Sequence, residues 1–353
     1  MRAGFSIVLL VVLGSAVPAH TLSAGDPPLR LQDTGLYSDW DTKTIAPQNL
    51  QYSPQYPLWS DGAGKSRWMS IPRGKWIDAS NPDRWTFPVG TRFWKEFDFN
   101  GHRVETRFIE RTANGWQFAS YQWRADETAA PLAPELGVSR SVEIRAGVRH
   151  SIPSRTDCLA CHDASDTHIL GVNALQLSPD RDPNAPHAEP VPAGGVDLQA
   201  LVDRRLVRGL PARFLGAPPR IDAPTPTARA ALGYLSTNCG ICHNSAGQLA
   251  SLDFSLRYSL GLPLDRAPAA IATAVGHPSK FQVPGATIRV SPGNPDASVL
   301  VARISSRNPV TQMPPLGTHV VDDDAVQLIR QWITKDLPAV QLGPDKHEKE
   351  TKR

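Results

Sequence analysis

With 353 residues, 41% of them hydrophobic and 20% charged, the chain has a globular composition and room for two or three cored domains. A formal charge of +3 is too small to argue for nucleic acid or an anionic membrane as partner. Proline is abundant, at 33 residues, and predicts long extended loops rather than uninterrupted helices.

Residues 1–24 read as an export signal, with Arg2 as a thin basic start and an apolar run from Phe5 to Val17. Small-residue cleavage sites follow at Val17-Pro18-Ala19 and Leu22-Ser23-Ala24. The run is short for a bilayer span, and no later stretch reaches about 18 apolar residues. The expected product is periplasmic or otherwise exported, with no transmembrane segment after cleavage. An uncleaved anchor helix is the alternative, and it also leaves the body outside the cytoplasm.

Residues 25–148 are expected to form a tryptophan-rich β domain, since eight of the nine tryptophans lie between Trp40 and Trp123. The run Phe93–Phe99 meets Asn100-Gly101 and then His102–Arg111, and Asn114-Gly115 leads into Trp116–Trp123. Asn-Gly between such runs signals a two-residue hairpin turn with positive φ. A β-meander within a sandwich or barrel is therefore expected. Its aromatic side chains read as core, with sugar binding as the alternative.

The next unit, 149–222, takes a strand over Ser141–Ile152 through Pro153–Asp157 into Cys158-Leu159-Ala160-Cys161-His162. A proline-rich linker over Pro179–Pro192 precedes a predicted helix from Val196 to Val207, with Leu198, Leu201, Val202 and Leu206 on one face. The last unit, 223–340, opens with Thr225 as N-cap and Pro226 in the first turn of a helix. Its apolar stripe (Ala228, Ala231, Leu232, Leu235) leads to Cys239-Gly240-Ile241-Cys242-His243. Asp322-Asp323-Asp324 mark the start of a terminal helix that buries Ala325, Leu328, Ile329 and Trp332. Residues 341–353 are polar and are expected to be a disordered tail.

Cys-x-x-Cys-His is a haem attachment signal with a mechanism. Thiols at i and i+3 face the same way and can bond the two vinyl groups of one macrocycle, while the adjacent histidine reaches the iron. The pattern occurs twice. Cys158, Cys161, Cys239 and Cys242 are therefore the expected attachment residues of two covalently bound haem c groups, with His162 and His243 as iron ligands. Met313, in Gln312-Met313-Pro314-Pro315, is the expected sixth ligand of the second iron, where a thioether favours the reduced state. No methionine lies between His162 and the second motif. For the first iron the options are His150, His168, Met69, His102, His187 or an open position. His150, at a strand end just before Pro153, is the residue we favour. A Cys₄ zinc site, two disulfides or a redox dithiol would leave both histidines and Met313 unexplained.

Residues 223–336 resemble a class I cytochrome c domain, with a helix, Cys-x-x-Cys-His, Pro292–Leu300, Met-Pro-Pro and a final helix. The long stretch between His243 and Met313 departs from the minimal pattern. The whole chain resembles a family of bacterial secreted dihaem c-type cytochromes. The signatures are Asp33-Thr34-Gly35-Leu36-Tyr37, Tyr56–Ala63, Pro153-Ser154-Arg155 and Gln176-Leu177. The resemblance bears on localisation and haem content and says little about reaction. The expected fold class is α+β, a β-rich, sandwich or barrel-like N-terminal domain followed by mainly α-helical cytochrome c-type haem domains. The expected function is single-electron transfer between periplasmic redox proteins. Other readings are a dihaem enzyme of the peroxidase type with an open first haem, and a polysaccharide- or partner-binding module that carries haems.

Overall fold

Asn100 and Gly101 both take positive φ, 53° and 79°, and close a two-residue turn of a five-stranded antiparallel sheet. The computed structural model describes residues 26–164, 167–261 and 267–337, so the expected signal segment and tail lie outside the described residues. The strands are β1 (Leu50–Gln51), β2 (Gly64–Ser70), β3 (Arg92–Phe99), β4 (His102–Thr112) and β5 (Gly115–Gln122), paired in sequence order. At the second turn Thr112 pairs with Gly115. Ala113 and Asn114 are thus its central residues, and neither has positive φ.

Strand alternation gives the sheet two different faces. Trp68, Trp94, Phe108 and Ala119 line up across four strands and pack against Leu31, Leu36 and Tyr37 from the segment before the sheet. Trp94 also donates its indole N–H to Thr34 at 2.9 Å, so the buried ring leaves no orphan donor. Trp40 stacks on Trp123 with ring centroids 5.2 Å apart. The opposite face offers Met69, Phe93 and Ile109, with Arg67, Lys95 and Arg107 in the adjoining cross-strand row. Onto this second face the remainder of the chain folds.

That remainder corrects the expected fold class. Among the described residues no sandwich or barrel closes, because the main sheet is single and open and the other sheets have two strands each. Nor do mainly α-helical cytochrome c-type domains follow it. Helix and strand each amount to only 22% of the described residues. The helices that matter for the site are α1 (Arg155–His162), α2 (Pro226–Asn238), α3 (Val299–Ile304) and α4 (Asp323–Lys335). The helix predicted over Val196–Val207 is a short one, Leu198–Asp203, capped by Asp197. The predicted strand over Ser141–Ile152 is a bulged hairpin of Glu143–Arg145 and Val148–Arg149. Proline explains much of this, since it removes backbone donors and stops helices within a few residues.

The units expected from sequence also share one core. A continuous apolar cluster runs from Tyr52, Met69 and Phe93 through Leu177 and Leu201 to Leu232, Ile329 and Trp332. Local chemistry sets the ends of the helices in it. Thr225 accepts from the Ala228 N–H at the start of α2, and Asp322 accepts from the Ala325 N–H at the start of α4. Among the described residues no helix is long and apolar enough to cross a membrane.

On the inner face Glu105 is fully buried, and it accepts two hydrogen bonds from Arg107 (2.7 and 3.1 Å) and pairs with His150 Nε2 at 3.1 Å. Burial alone would raise its pKa, but Arg107 and His150 outweigh that and bring it down to about 2. A carboxylate with a depressed folded-state pKa stabilises the fold above its unfolded value near 4.5. That contribution fades as pH falls toward about 2. Glu105→Gln should therefore flatten the acid limb of the stability curve between these limits, removing on the order of 3 kcal/mol of pH dependence. Thermal unfolding followed from pH 6 downward would measure it, and an acid limb identical to that of the parent would refute the assignment.

Candidate functional site

Both Cys-x-x-Cys-His motifs open onto one cavity of about 730 Å³, lined by all four cysteines, both histidines and Met313. This lies within the size range of pockets for cofactors and drug-sized ligands. The first motif sits on α1, whose start is fixed by a capping box between Ser154 and Asp157. The second follows α2, with Cys239 as the C-cap, and its own turn is closed by His243 N–H to Cys239 O at 2.8 Å. Gly240 is required there, because a Cβ would press on the Ser236 carbonyl and the Arg257 backbone.

The two motifs meet at their trailing ends. The Asn244 side-chain amide donates to Gly240 O (3.2 Å) and Ile241 O (2.8 Å) within its own motif, and to Ala164 O (3.4 Å) just past the first motif. Gly247 packs so closely on the Ala164 carbonyl that no side chain fits between them. Segments some 80 residues apart thus hold their cysteine pairs against one shared space.

Electrostatics put these groups in neutral forms. Burial pushes His162 down to about 4, with Arg107 and Lys95 adding to the effect and a hydrogen bond to His168 opposing it. Burial, with Arg303 and Arg289, takes His243 down to about 4 as well. Burial raises Cys161 to about 11 and Cys239 to about 12, and also raises Cys158 and Cys242. All four cysteines are free thiols, so neither disulfide pairing nor a poised thiolate describes the site. Among the described residues no three His, Cys, Asp or Glu side chains cluster as they would around a zinc ion.

Each histidine is set up as a donor. His162 Nδ1–H donates to His168 O at 2.6 Å, which leaves Nε2 unprotonated and available. Its ring rests against Phe118 of β5, 4.8 Å between centroids. His243 lies 4.8 Å from the Phe254 ring, and its buried Nδ1 has no hydrogen-bond partner among the described residues. Met313 lines the cavity from the loop between α3 and α4, where its N–H donates to Arg303 O at 3.0 Å. Two thiols and one imidazole at each motif, facing an apolar space, are the donor set that a thioether-bound haem requires. Cationic walls suit its carboxylates: Arg67, Lys95 and Arg107 on the sheet side, and Arg289, Arg303 and Arg307 on the other. The residues fit the group.

The options for a sixth ligand at the first motif fall into distinct places. His150 lines the cavity and is 5% exposed, but its Nε2 is engaged by Glu105. His168 is paired with Asp163 at 2.9 Å. His102 is 79% exposed at the far hairpin, and His187 bonds Asp322 at 2.8 Å. Met69 is wholly buried in the core beside Phe93. Sequence reasoning missed the basic row Arg67–Lys95–Arg107. The signal was present, since these charges share strand parity with Met69, Phe93, Phe97 and Ile109. No protein-family model, curated protein or solved structure matches this chain.

The clasp between the motifs is testable without any cofactor. Gly247→Ala should cost about 1–3 kcal/mol, because the new methyl meets a backbone carbonyl that cannot swing aside. Gly216→Ala, with no atom near the added Cβ, should stay within about 0.5 kcal/mol of the parent. Denaturant midpoints of the two variants give the comparison, and equal midpoints would mean that the clasp is loose.

Proposed function

We propose that the chain is an exported carrier that binds two haem groups covalently and passes single electrons between redox partners. In this reading Cys158 and Cys161 anchor one group, and Cys239 and Cys242 the other. Each bound haem supplies a reversible one-electron couple. The observation that carries the proposal is the single cavity shared by both motifs, clasped by Asn244 and Gly247 against Ala164.

The roles of the chain's own residues follow from their surroundings. His162 and His243 are half-buried and neutral, the form in which an imidazole nitrogen can ligate. The His168 carbonyl holds the His162 ring in one tautomer and orientation. Met313 faces the same cavity as His243 and offers a thioether, a weak neutral donor that favours the reduced iron. Phe118, Phe254 and Trp59 line or border the space and exclude water from it.

One observation favours a second reading, catalysis of the peroxidase type at the first motif. Its histidine candidates either hold other partners, as His150, His168 and His187 do, or stand exposed, as His102 does. His150, whose Nε2–H donates to the buried Glu105 in the cavity wall, then has Nδ1 left to accept and return a proton. The spin state separates the readings. A low-spin ferric iron at the first site supports the carrier, whereas a high-spin iron with peroxide turnover lost in His150→Ala supports the enzyme.

Intact mass of the exported protein should show two haems, and haem staining should survive boiling in denaturant. Replacing Cys158 and Cys161 by alanine should leave one, and replacing Cys239 and Cys242 the other. Met313→His should lower the midpoint of the second iron and abolish the near-infrared sulfur-to-iron band. A mass without haem would sink the proposal, and a band that survives would remove Met313 from the iron.

A further inference from the structure

The inner face of the sheet carries a row of three basic side chains in direct cross-strand register. Arg67 of β2 stands opposite Lys95 of β3, and Lys95 stands opposite Arg107 of β4. All three line the cavity. Like charges placed side by side on neighbouring strands repel one another, so the row needs compensation. It receives it unevenly.

Arg107 is satisfied by the two oxygens of Glu105. Arg67 is 5% exposed; its Nη1 reaches Glu189 at 3.1 Å and Lys65 O at 3.3 Å, but its Nη2 is buried with no partner among the described residues. A buried guanidinium nitrogen left unpaired is costly and calls for an acceptor. Among the described residues Lys95 makes no carboxylate pair, and its Nζ rests over the Phe97 ring at 4.7 Å. Burial and the neighbouring guanidiniums hold the Lys95 pKa well below the usual lysine range, so an anion beside it would favour the charged form.

Position selects the anion. Arg107 acts electrostatically on both Cys158 and Cys161, so that end of the row lies near the first attachment site. Two strand spacings, about 10 Å, carry the row from there to Arg67. A haem has its carboxylates on the edge opposite the vinyl groups that bond cysteine, and its width is of the same order as that span. We propose that Lys95 and Arg67 form a carboxylate seat in the cavity wall that takes the propionates of the haem attached at Cys158 and Cys161. This rests on the haem reading given above.

Positive charge beside the propionates, held by Arg67 and taken up by Lys95 as the anion arrives, stabilises the electron-rich state, so the seat also raises the potential of the first site. Lys95→Gln removes the charge and Arg67→Lys removes the unpaired Nη2 donor, while Lys95→Arg keeps both charge and donors. The expected result in the holoprotein is a shift of the propionate bending band in resonance Raman for Lys95→Gln and Arg67→Lys. In Lys95→Gln the first midpoint should also fall, and Lys95→Arg should restore both signals. Two attached haems with band and midpoint unchanged in both loss variants would overturn the seat. Loss of the first iron's low-spin signal in Lys95→Gln would overturn it too, since Lys95 would then be an axial ligand. A Cys158–Cys161 peptide without haem in the parent protein would sink the seat together with the proposed function.

Discussion

A buried peptide group must find a hydrogen-bond partner, and in a chain with this little helix and strand many of the partners are side chains. That constraint explains the architecture around the cavity. Asn238, the last residue of α2, accepts from the Trp59 N–H at 2.8 Å and donates to Pro57 O at 3.3 Å, tying the second motif to the loop before β2. Asp61 accepts the N–H groups of both His319 and Val320, which fixes the loop that follows Met313. Gln176 accepts from the Tyr56 N–H at 3.0 Å and donates to Thr237 at 2.7 Å. Arg289 donates to three carbonyls, those of Asp253, Thr273 and Leu252, and ties the loop after the second motif in place. Such side chains do for the loops what ladders do for the sheet. They also make the loops specific, since each substitutes for a backbone partner in one geometry only.

The signature stretch Tyr56–Ala63 gains a physical meaning from this. Its Tyr56 hydroxyl bonds Asp182 at 3.0 Å, its ring fills the space left by Gly233 on α2, and Trp59 donates its indole N–H to Val320 O. The stretch therefore braces α2, the linker and the Met313 loop at once. Its residues hold the cavity in shape, and only some of them face it.

Legibility in the sequence followed range. Asn100-Gly101, Thr225 and Asp322 could be read because their chemistry acts over a few residues, through φ or through a cap on the next turn. The strand alternation from Phe93 to Trp123 was legible for the same reason. The Cys-x-x-Cys-His runs and Met313 could be picked out by spacing and scarcity, and they converge on one cavity. The shared core could not be read. Gln176 and Tyr56 are 120 residues apart, and Asp61 and His319 are 258 apart, with nothing local to announce either pair. The apolar cluster runs across the boundaries drawn at the motifs. The helical domains expected beyond residue 148 failed because two helices flanking a motif were read as a domain, while prolines between them kept the rest irregular.

On the proposed reading, the surroundings of the two histidines argue that the two sites differ in potential. His162 donates Nδ1–H to a backbone carbonyl at 2.6 Å, which makes its other nitrogen the more basic donor and favours the oxidised iron. Among the described residues His243 has no such acceptor for Nδ1; it shares its cavity with the Met313 thioether and lies near Arg303 and Arg289. All three features of the second site act in the same direction, toward the reduced state. At the first site the carbonyl acts against Lys95 and Arg107, whose charges also favour reduction. The first site is thus a balance of opposed effects and the second is not. An electron arriving at the first site would run downhill to the second, across the contact where Asn244 and Gly247 meet Ala164.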